Sequence, residues 1–264
     1  CGKRFVNPLQ AVGRSSLALT RAAGAVTLFG LRGLLAIFQP PVFWGQFLRQ
    51  CWSIGYMSLP VVGLTAVFTG AALALNIYDA GSRFNAEQIV PQIVALGQTR
   101  ELGPVLASLM LAGRVSAAIA AEIGAMKMNQ EVDAIQVLGV DPFEALVLPR
   151  FIAMVTMTPL LTFVAMIAGV IGGVAVIWTV ADLTPAFFFE RMLQNVGIRH
   201  FWVGIAKVPV FAIVIAAIGC RQGLEVGGDV EQLGRRVTAA VVQALFAIIV
   251  IDALFALLYM EMSV

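Results

Sequence analysis

Four ionisable side chains lie in or next to apolar stretches that are long enough to enter a membrane. Asp252 is the one charged residue of the run AIIVIDALFALLY, and Lys207 interrupts a second apolar run. Arg100 and Glu101 directly precede a third. A charge at mid-membrane costs about 3 kcal/mol on insertion scales, so such residues are usually paired or face a wet cavity. These residue types allow two kinds of chemistry. The cations could bind an anionic group while the carboxylates act as their counter-ions, or a carboxylate could exchange protons.

The chain around these residues has the composition of a polytopic membrane protein. Of its 264 residues, 60% are hydrophobic and 12% are charged, whereas soluble domains are about 45–50% apolar and about 25% charged. Five apolar stretches are long enough to cross a bilayer. We predict an all-α integral membrane fold in a single domain, 1–264, with a transmembrane bundle over 54–260. Its predicted spans are Ile54–Tyr78, Leu102–Ala121, Phe151–Val180, Phe201–Cys220 and Val237–Met260.

Lysine and arginine residues are distributed unequally between the two sides of this bundle. Most of the 17 lie in the N-terminal region and in the loops that follow spans two and four. Cytoplasmic loops carry such an excess, so we predict a cytoplasmic N-terminus and a C-terminus on the opposite side.

This topology places Lys207 and Asp252 at matching depth in the outer half of the membrane, at ~1.5 Å per residue. We predict that they form an ion pair, with Arg100 and Glu101 at the outer mouth of span two. Four converging charges indicate a polar-lined cavity open outward. A pair that only fixes helix register is the compatible alternative.

The segment 14–38 is predicted to be an N-terminal interfacial helix. Arg14, Arg21 and Arg32 fall within about 20° of one another on a helical wheel. One charged stripe on an apolar helix is typical of a helix that lies in the membrane interface, and the QPP at 39–41 ends it. A sixth span with snorkelling arginines is the alternative.

The loop after span two, EIGAMKMNQEVDAIQVLGVDP, predicts a short amphipathic helix. Its apolar residues recur at steps of three or six, and Gly139 followed by Pro142 forms a helix stop. On the side rich in lysine and arginine, such a helix is suited to docking into a groove of a cytoplasmic partner. It is equally compatible with a connector that lies on the membrane.

The sequence contains no recognisable catalytic constellation. The motifs G-x-S-x-G, H-E-x-x-H and G-x-x-x-x-G-K-[ST] do not occur, and three cysteines without a CxxC predict neither a disulfide framework nor a metal site. No basic cluster with interleaved aromatic residues indicates nucleic acid. We therefore expect no catalytic residue, metal or cofactor on this chain, and any chemistry on ATP and Mg²⁺ to belong to a partner.

The run ELGPVLASLMLAGRVSAAIAAEIGAMKMNQEVDAIQVLGVDP (Glu101–Pro142) closely resembles the MlaE/YrbE family of permeases from MCE-type lipid ABC transporters. Ser58–Leu75 and Gly223–Asp252 are similar to that family as well. The resemblance implies a homodimeric inner-membrane permease with an interfacial helix, five spans and a coupling helix. Its implied partners are a cytoplasmic ABC ATPase, a STAS-domain subunit, a periplasmic hexamer of MCE domains and phospholipid. The implied activity is phospholipid transport between inner and outer membranes, which maintains outer-membrane asymmetry.

The resemblance also implies roles for individual residues. Tyr78, Arg100, Glu101 and Lys207 match positions of the substrate cavity, and Asp252 joins them as the predicted counter-ion. Glu122–Leu138 matches the coupling helix, with candidate ATPase contacts at Glu122, Met126, Lys127, Glu131, Asp133, Ile135 and Leu138. The loop Gly227–Arg236 is more charged than the family pattern. Two competing functions stay open: an ion-coupled secondary transporter in which Asp252 titrates, and a membrane scaffold without transport.

Overall fold

The computed structural model describes residues 24–33, 44–84, 87–181 and 183–261, which form helices and turns and no strand. Five helical segments are long and apolar enough to cross a membrane: Trp44–Ser82, Glu87–Met128, Phe143–Val180, Ile198–Leu224 and Val230–Glu261. The predicted all-α membrane fold with five spans is confirmed. We call the end of the bundle where span one begins the proximal end, and the end where it finishes the distal end.

Several spans contain breaks in regular α-helix. Span one combines helices Trp44–Cys51 and Leu59–Ser82 with a π-helical turn, Trp52–Tyr56. Span two begins with a 3₁₀ turn, Glu87–Ile89, and continues as helices Val90–Gly97, Gly103–Leu111 and Ala117–Met128, separated by π turns Gln98–Leu102 and Ala112–Ser116. Span three is a π turn, Phe143–Val147, followed by helix Leu148–Val180. Span four divides into Ile198–Ala206 and Val208–Leu224, whereas span five is one helix, Val230–Glu261.

The helices extend beyond the predicted spans because polar residues at their ends lower hydropathy without ending the helix. The largest difference is in span two, which is helical from Val90 although its predicted start is Leu102. The predicted start of span two is therefore wrong, since Arg100 and Glu101 lie inside this helical segment and not before it. Span five similarly begins at Val230, where the Asp229 carboxylate accepts hydrogen bonds from the Glu231 and Gln232 amides and caps the helix.

Spans one and three make the closest helix pair of the bundle. A Cβ at Gly70 would collide with the carbonyl of Gly169, and a Cβ at Gly172 would collide with the carbonyl of Val67. The absence of side chains at these three glycines lets the two backbones touch, as small residues do between membrane helices. Gly169 therefore packs within the chain.

The segment between spans two and three is not the single helix predicted over Glu122–Leu138. Residues up to Met128 continue span two, and a separate helix, Glu131–Val137, follows a turn. The turn requires a positive φ of 60° at Gln130, which breaks the helical hydrogen-bond ladder.

The predicted helix stop after this segment is confirmed. Gly139 adopts φ 80°, its amide bonds to the Gln136 carbonyl, and the Val140 amide bonds to that of Ile135. These two bonds satisfy carbonyls at the helix end in the Schellman pattern, which favours glycine at the left-handed position.

The N-terminal region is helical over residues 24–33, and the rest of the predicted interfacial helix 14–38, with Arg14 and Arg21, lies outside the described residues. The Phe29 ring meets that of Phe143 edge-on at 5.2 Å. Arg32 pairs with Asp141 at 3.3 Å and lies over the Phe143 ring. This helix therefore contacts the residues that follow the Glu131–Val137 helix.

A helix that the sequence does not predict, Pro185–Asn195, lies at the distal end between spans three and four. Thr184 caps it by accepting a hydrogen bond from the Phe187 amide. Phe188 anchors it in an apolar cluster with Val90 and Val94 of span two. Its length is too short to cross a membrane.

Candidate functional site

The four charges predicted to converge form one cluster inside the distal half of the bundle. Lys207 Nζ lies 2.7 Å from Asp252 Oδ1 and 2.6 Å from Glu101 Oε2, so the predicted pairing of Lys207 with Asp252 is confirmed. Arg100 Nε lies 3.6 Å from Glu101 Oε1. We call Arg100, Glu101, Lys207 and Asp252 the distal charged cluster.

Two prolines explain why the helices break where these charges lie. Proline lacks the amide proton that an α-helix needs, so the carbonyl four residues earlier loses its donor. Pro104 has this effect on Arg100, inside the π turn Gln98–Leu102. Pro209 follows Lys207 at the junction of the two helices of span four, where the Lys207 amide bonds to the Ile205 carbonyl instead.

A close contact between spans two and four brings the charges within bonding distance. A Cβ at Gly204 would collide with the carbonyl of Thr99, so this glycine permits the backbones to approach at the level of the cluster. On the other side of span four, the Tyr259 hydroxyl donates to the Val203 carbonyl at 3.2 Å. Tyr259 lies seven residues after Asp252, hence on the same helical face, and this spacing could have identified it from sequence.

Burial differs sharply within the distal charged cluster. The Lys207 side chain is 1% exposed, whereas the carboxylate side chains of Asp252 and Glu101 are 23% and 40% exposed. Arg100 is 25% exposed. An anionic ligand therefore reaches Arg100 more readily than Lys207, whose ammonium is already held by two carboxylates.

Gln98 is a polar residue of this region that sequence reasoning missed. It is fully buried at the start of the π turn, and its amide nitrogen and oxygen have no hydrogen-bond partner among the described residues. It occupies the space that the missing side chain of Gly169 leaves.

Tyr78, the fifth predicted substrate residue, packs elsewhere. It is partly buried against an apolar cluster near the distal end that includes Val90, Ile177 and Phe188. The distal charged cluster is thus assembled from spans two, four and five, and Tyr78 of span one joins a different group of side chains.

The predicted ATPase contacts separate into inward and outward groups. Met126 and Ile135 pack on Val132 and Leu146 of a small core at the proximal end. Lys127 pairs with Asp133 at 2.6 Å, and Glu122 pairs with the buried Arg150 at 2.9 Å. Glu131 is exposed. The most exposed apolar side chains available to a partner here are Leu138, 79% exposed, and Val137, 88% exposed, which the prediction omitted.

The proximal ends of spans four and five are joined by a polar network. Arg236 bonds to Glu225 at 2.7 Å and to Gln222 at 3.1 Å. Gln222 also donates to Gln243 at 2.9 Å, and Arg221 bonds to Glu225 at 2.8 Å. We call these five residues the proximal polar network, which the hydropathy of the sequence does not reveal.

Known proteins resemble the chain over most of its length. The family model described as Permease MlaE matches residues 47–258. A Rickettsia bellii protein named "Probable ABC transporter permease protein" is 36% identical over 257 residues, 97% of this chain and 99% of that protein. A similarly named Synechocystis protein is 32% identical over 235 residues, 89% of each. The Arabidopsis thaliana protein TRIGALACTOSYLDIACYLGLYCEROL 1, chloroplastic, is 29% identical over 219 residues, 83% of this chain and 63% of that protein.

All four residues of the distal charged cluster, and the loop between spans two and three, lie within the matched region. A permease of this kind is the multi-pass membrane subunit of an ABC transporter and works with an ATPase on another chain. The five candidate membrane spans agree with a multi-pass subunit of this kind. By sequence, the chain belongs to the MlaE family of ABC transporter permeases.

Proposed function

We propose that this permease moves phospholipids between the inner and outer membranes and so maintains outer-membrane asymmetry. The observation that carries the proposal is the distal charged cluster, in which two cations and two carboxylates stand in an apolar bundle and Arg100 is the more accessible cation. A guanidinium binds phosphate with paired, charge-assisted hydrogen bonds. The surrounding apolar helices suit acyl chains.

The carboxylates have a definite role in this proposal. Glu101 and Asp252 neutralise Lys207 while the site is empty, because an isolated buried charge is costly. Arg100 receives the lipid phosphate, and Lys207 contributes when a carboxylate moves. The name of the Arabidopsis relative refers to a glycolipid, which supports a lipid as the class of cargo.

Membership of the family supports the rest of the proposed assembly. The permease acts as a homodimer in the inner membrane, with its proximal end in the cytoplasm and its C-terminus in the periplasm. ATP and Mg²⁺ bind to the cytoplasmic ATPase, which docks on the helix Glu131–Val137. A STAS-domain subunit and a periplasmic MCE-domain hexamer complete the complex. Span five supports the homodimer because Phe246, Leu254 and Leu257 leave a wide apolar face exposed in the single chain.

Reconstitution tests this function directly. The permease purified with its ATPase into vesicles should transfer a fluorescent phospholipid only when ATP and Mg²⁺ are present. An Arg100→Gln variant should retain the ATPase and lose transfer. Transfer that follows an imposed proton or sodium gradient without ATP would favour the ion-coupled transporter in which Asp252 titrates. If the charges of the distal charged cluster can be neutralised in pairs without any loss of function, a membrane scaffold without transport would be favoured.

A further inference from the structure

Arg114 is an intramembrane cation that the distal charged cluster does not include. It lies in the second π turn of span two, Ala112–Ser116. Its Nη1 donates to the Ser58 hydroxyl and, at 3.3 Å, to the Ser53 carbonyl of span one. Both acceptors are neutral. Within the part of the chain that the structure describes, no carboxylate forms an ion pair with it.

This environment differs from that of Lys207 and Arg150, the cations that are buried among the described residues. Lys207 has two carboxylates and Arg150 has Glu122, so their charges are balanced inside the protein. A guanidinium has five N–H donors, and the contacts of Arg114 involve Nη1 alone. Arg114 therefore keeps both positive charge and donors for an anionic group. Ionisable residues inside spans usually mark a substrate path.

Arg114 also lies on the accessible face of span two. Along this helix, half-exposed positions recur every four residues at Glu101, Val105, Leu109, Gly113, Ala117 and Ala121, and buried positions recur at Gly103, Ala107, Leu111, Val115, Ile119 and Ile123. A regular α-helix would rotate such a row by about 40° at each step. The two π turns hold more residues per turn and reduce that rotation. One continuous face thus joins the distal charged cluster to Arg114.

The distance along that face is about 20 Å between Arg100 and Arg114, at ~1.5 Å per residue. Arg114 is equally far from the proximal end of span two at Met128. A Cβ added to the adjacent Gly113 would meet no atom within 4 Å, so the backbone next to Arg114 faces open space. Two of the π turns of the bundle contain these charges, and π turns inside helices are frequent at functional sites.

We propose that Arg114 binds the phosphate of a phospholipid at a second station on the transport path, midway between the distal charged cluster and the proximal end. This inference rests on the proposed function. The planar guanidinium offers phosphate a paired contact that lysine cannot reproduce. Ser58, 1% exposed, is a positioning residue that holds Nη1 toward span one.

Photocrosslinking from two positions on the same face tests this inference. The photoreactive residue p-benzoylphenylalanine is placed at position 113 or at position 105, in the complete complex in vesicles that contain labelled phospholipid. Arg114→Gln should lower the crosslink at 113 about tenfold, the factor that corresponds to losing ~1.4 kcal/mol of a charge-assisted contact. The crosslink at 105 should not change, and it serves as the control for folding. Arg114→Lys should give an intermediate yield at 113.

The outcomes separate this inference from the proposed function. Crosslinking at 105 together with none at 113, or a yield at 113 that ignores Arg114→Gln, overturns the second station alone. No phospholipid crosslink at either position overturns the proposed function as well. A neutral diacylglycerol with the same acyl chains should not crosslink at 113, and equal yield would show that only chains are bound there. A crosslink at 113 that inorganic phosphate abolishes would show that the ligand of Arg114 is free phosphate and not a lipid head group.

Discussion

Lys207 differs from the other residues of the distal charged cluster because two carboxylates share it. Its Nζ is 2.6 Å from Glu101 and 2.7 Å from Asp252. The two acids are not equivalent, since Glu101 also lies near Arg100, whereas the described residues offer Asp252 an ion pair with Lys207 alone. The consequences of removing each charge should therefore differ.

Lys207→Met should destabilise the fold more than Asp252→Asn. The first change leaves Asp252 without a counter-ion, whereas the second leaves Lys207 with Glu101. Orphaning one partner of a buried pair costs about 3–5 kcal/mol, and less where water enters. The double variant should recover much of the folded yield lost by Lys207→Met, because Glu101 keeps Arg100. Thermal unfolding in detergent measures this order. Equal stability of the parent and both single variants would contradict the pairing.

Glycines at the contact points set how closely the helices of the bundle pack against one another. Gly70 and Gly169 place spans one and three in backbone contact, and Gly204 does the same for spans two and four at the level of Thr99. Methyl groups at Gly70 and Gly204 must push the helices apart, because the atoms they would meet are backbone atoms, which cannot move aside as a flexible side chain can.

Gly70→Ala and Gly63→Ala provide a matched pair on one helix of span one. The new methyl at position 70 would meet the Gly169 backbone, whereas position 63 has open space. We expect Gly70→Ala to lower the free energy of unfolding by about 1–3 kcal/mol. Gly63→Ala should be neutral or should raise it by up to about 1 kcal/mol through helix propensity. Chemical denaturation in micelles distinguishes them, and effects of the same sign would contradict the close packing.

At the scale of the whole molecule, each end of the bundle presents a strongly exposed leucine on or next to a short helix. The proximal end presents Leu138, 79% exposed, after the helix Glu131–Val137. The distal end presents Leu193, 77% exposed, on the helix Pro185–Asn195. The two leucines match in residue type and exposure and lie at opposite ends, so they can be compared directly.

Leu138→Asp should reduce co-purification of the ATPase about tenfold, which corresponds to ~1.4 kcal/mol, because a carboxylate would be placed in an apolar contact. Leu193→Asp should leave the amount of bound ATPase unchanged. Quantifying the ATPase that elutes with a tagged permease gives the measurement. An identical loss in both variants would indicate general destabilisation instead of a docking contact.

The orientation of the bundle has its own test. Gln130→Cys lies at the proximal end and Phe84→Cys at the distal end, where Phe84 is 83% exposed. With Cys1 and the partly exposed Cys51 replaced by serine, a membrane-impermeant thiol reagent should label only position 84 in intact spheroplasts and only position 130 in inverted vesicles, since the arginine-rich side remains in the cytoplasm. Cys220 is buried and should not react. The reverse pattern would invert the proposed topology.

The features that could be predicted from sequence are those set by local chemistry. The depth match of Lys207 and Asp252 follows from helical rise and a short connection, and the stop at Gly139 follows from its left-handed backbone. Contacts between distant segments could not be predicted in the same way. Glu101 became a direct partner of Lys207 only because span two continues past its polar residues, and hydropathy had placed the helix start after them.

The hairpin of spans four and five is fastened at both of its extremities. In the distal half, Lys207 forms an ion pair with Asp252 and the Tyr259 hydroxyl donates to the Val203 carbonyl. At the proximal end, Arg236 donates to Glu225 and Gln222, and Gln222 donates to Gln243. Because the two helices are joined at both ends, they should tilt together as one rigid body and should not separate. A displacement next to Glu225 should therefore reach Lys207 as a rotation of the helix pair, and the size of that movement depends on the length of helix between the two sets of contacts.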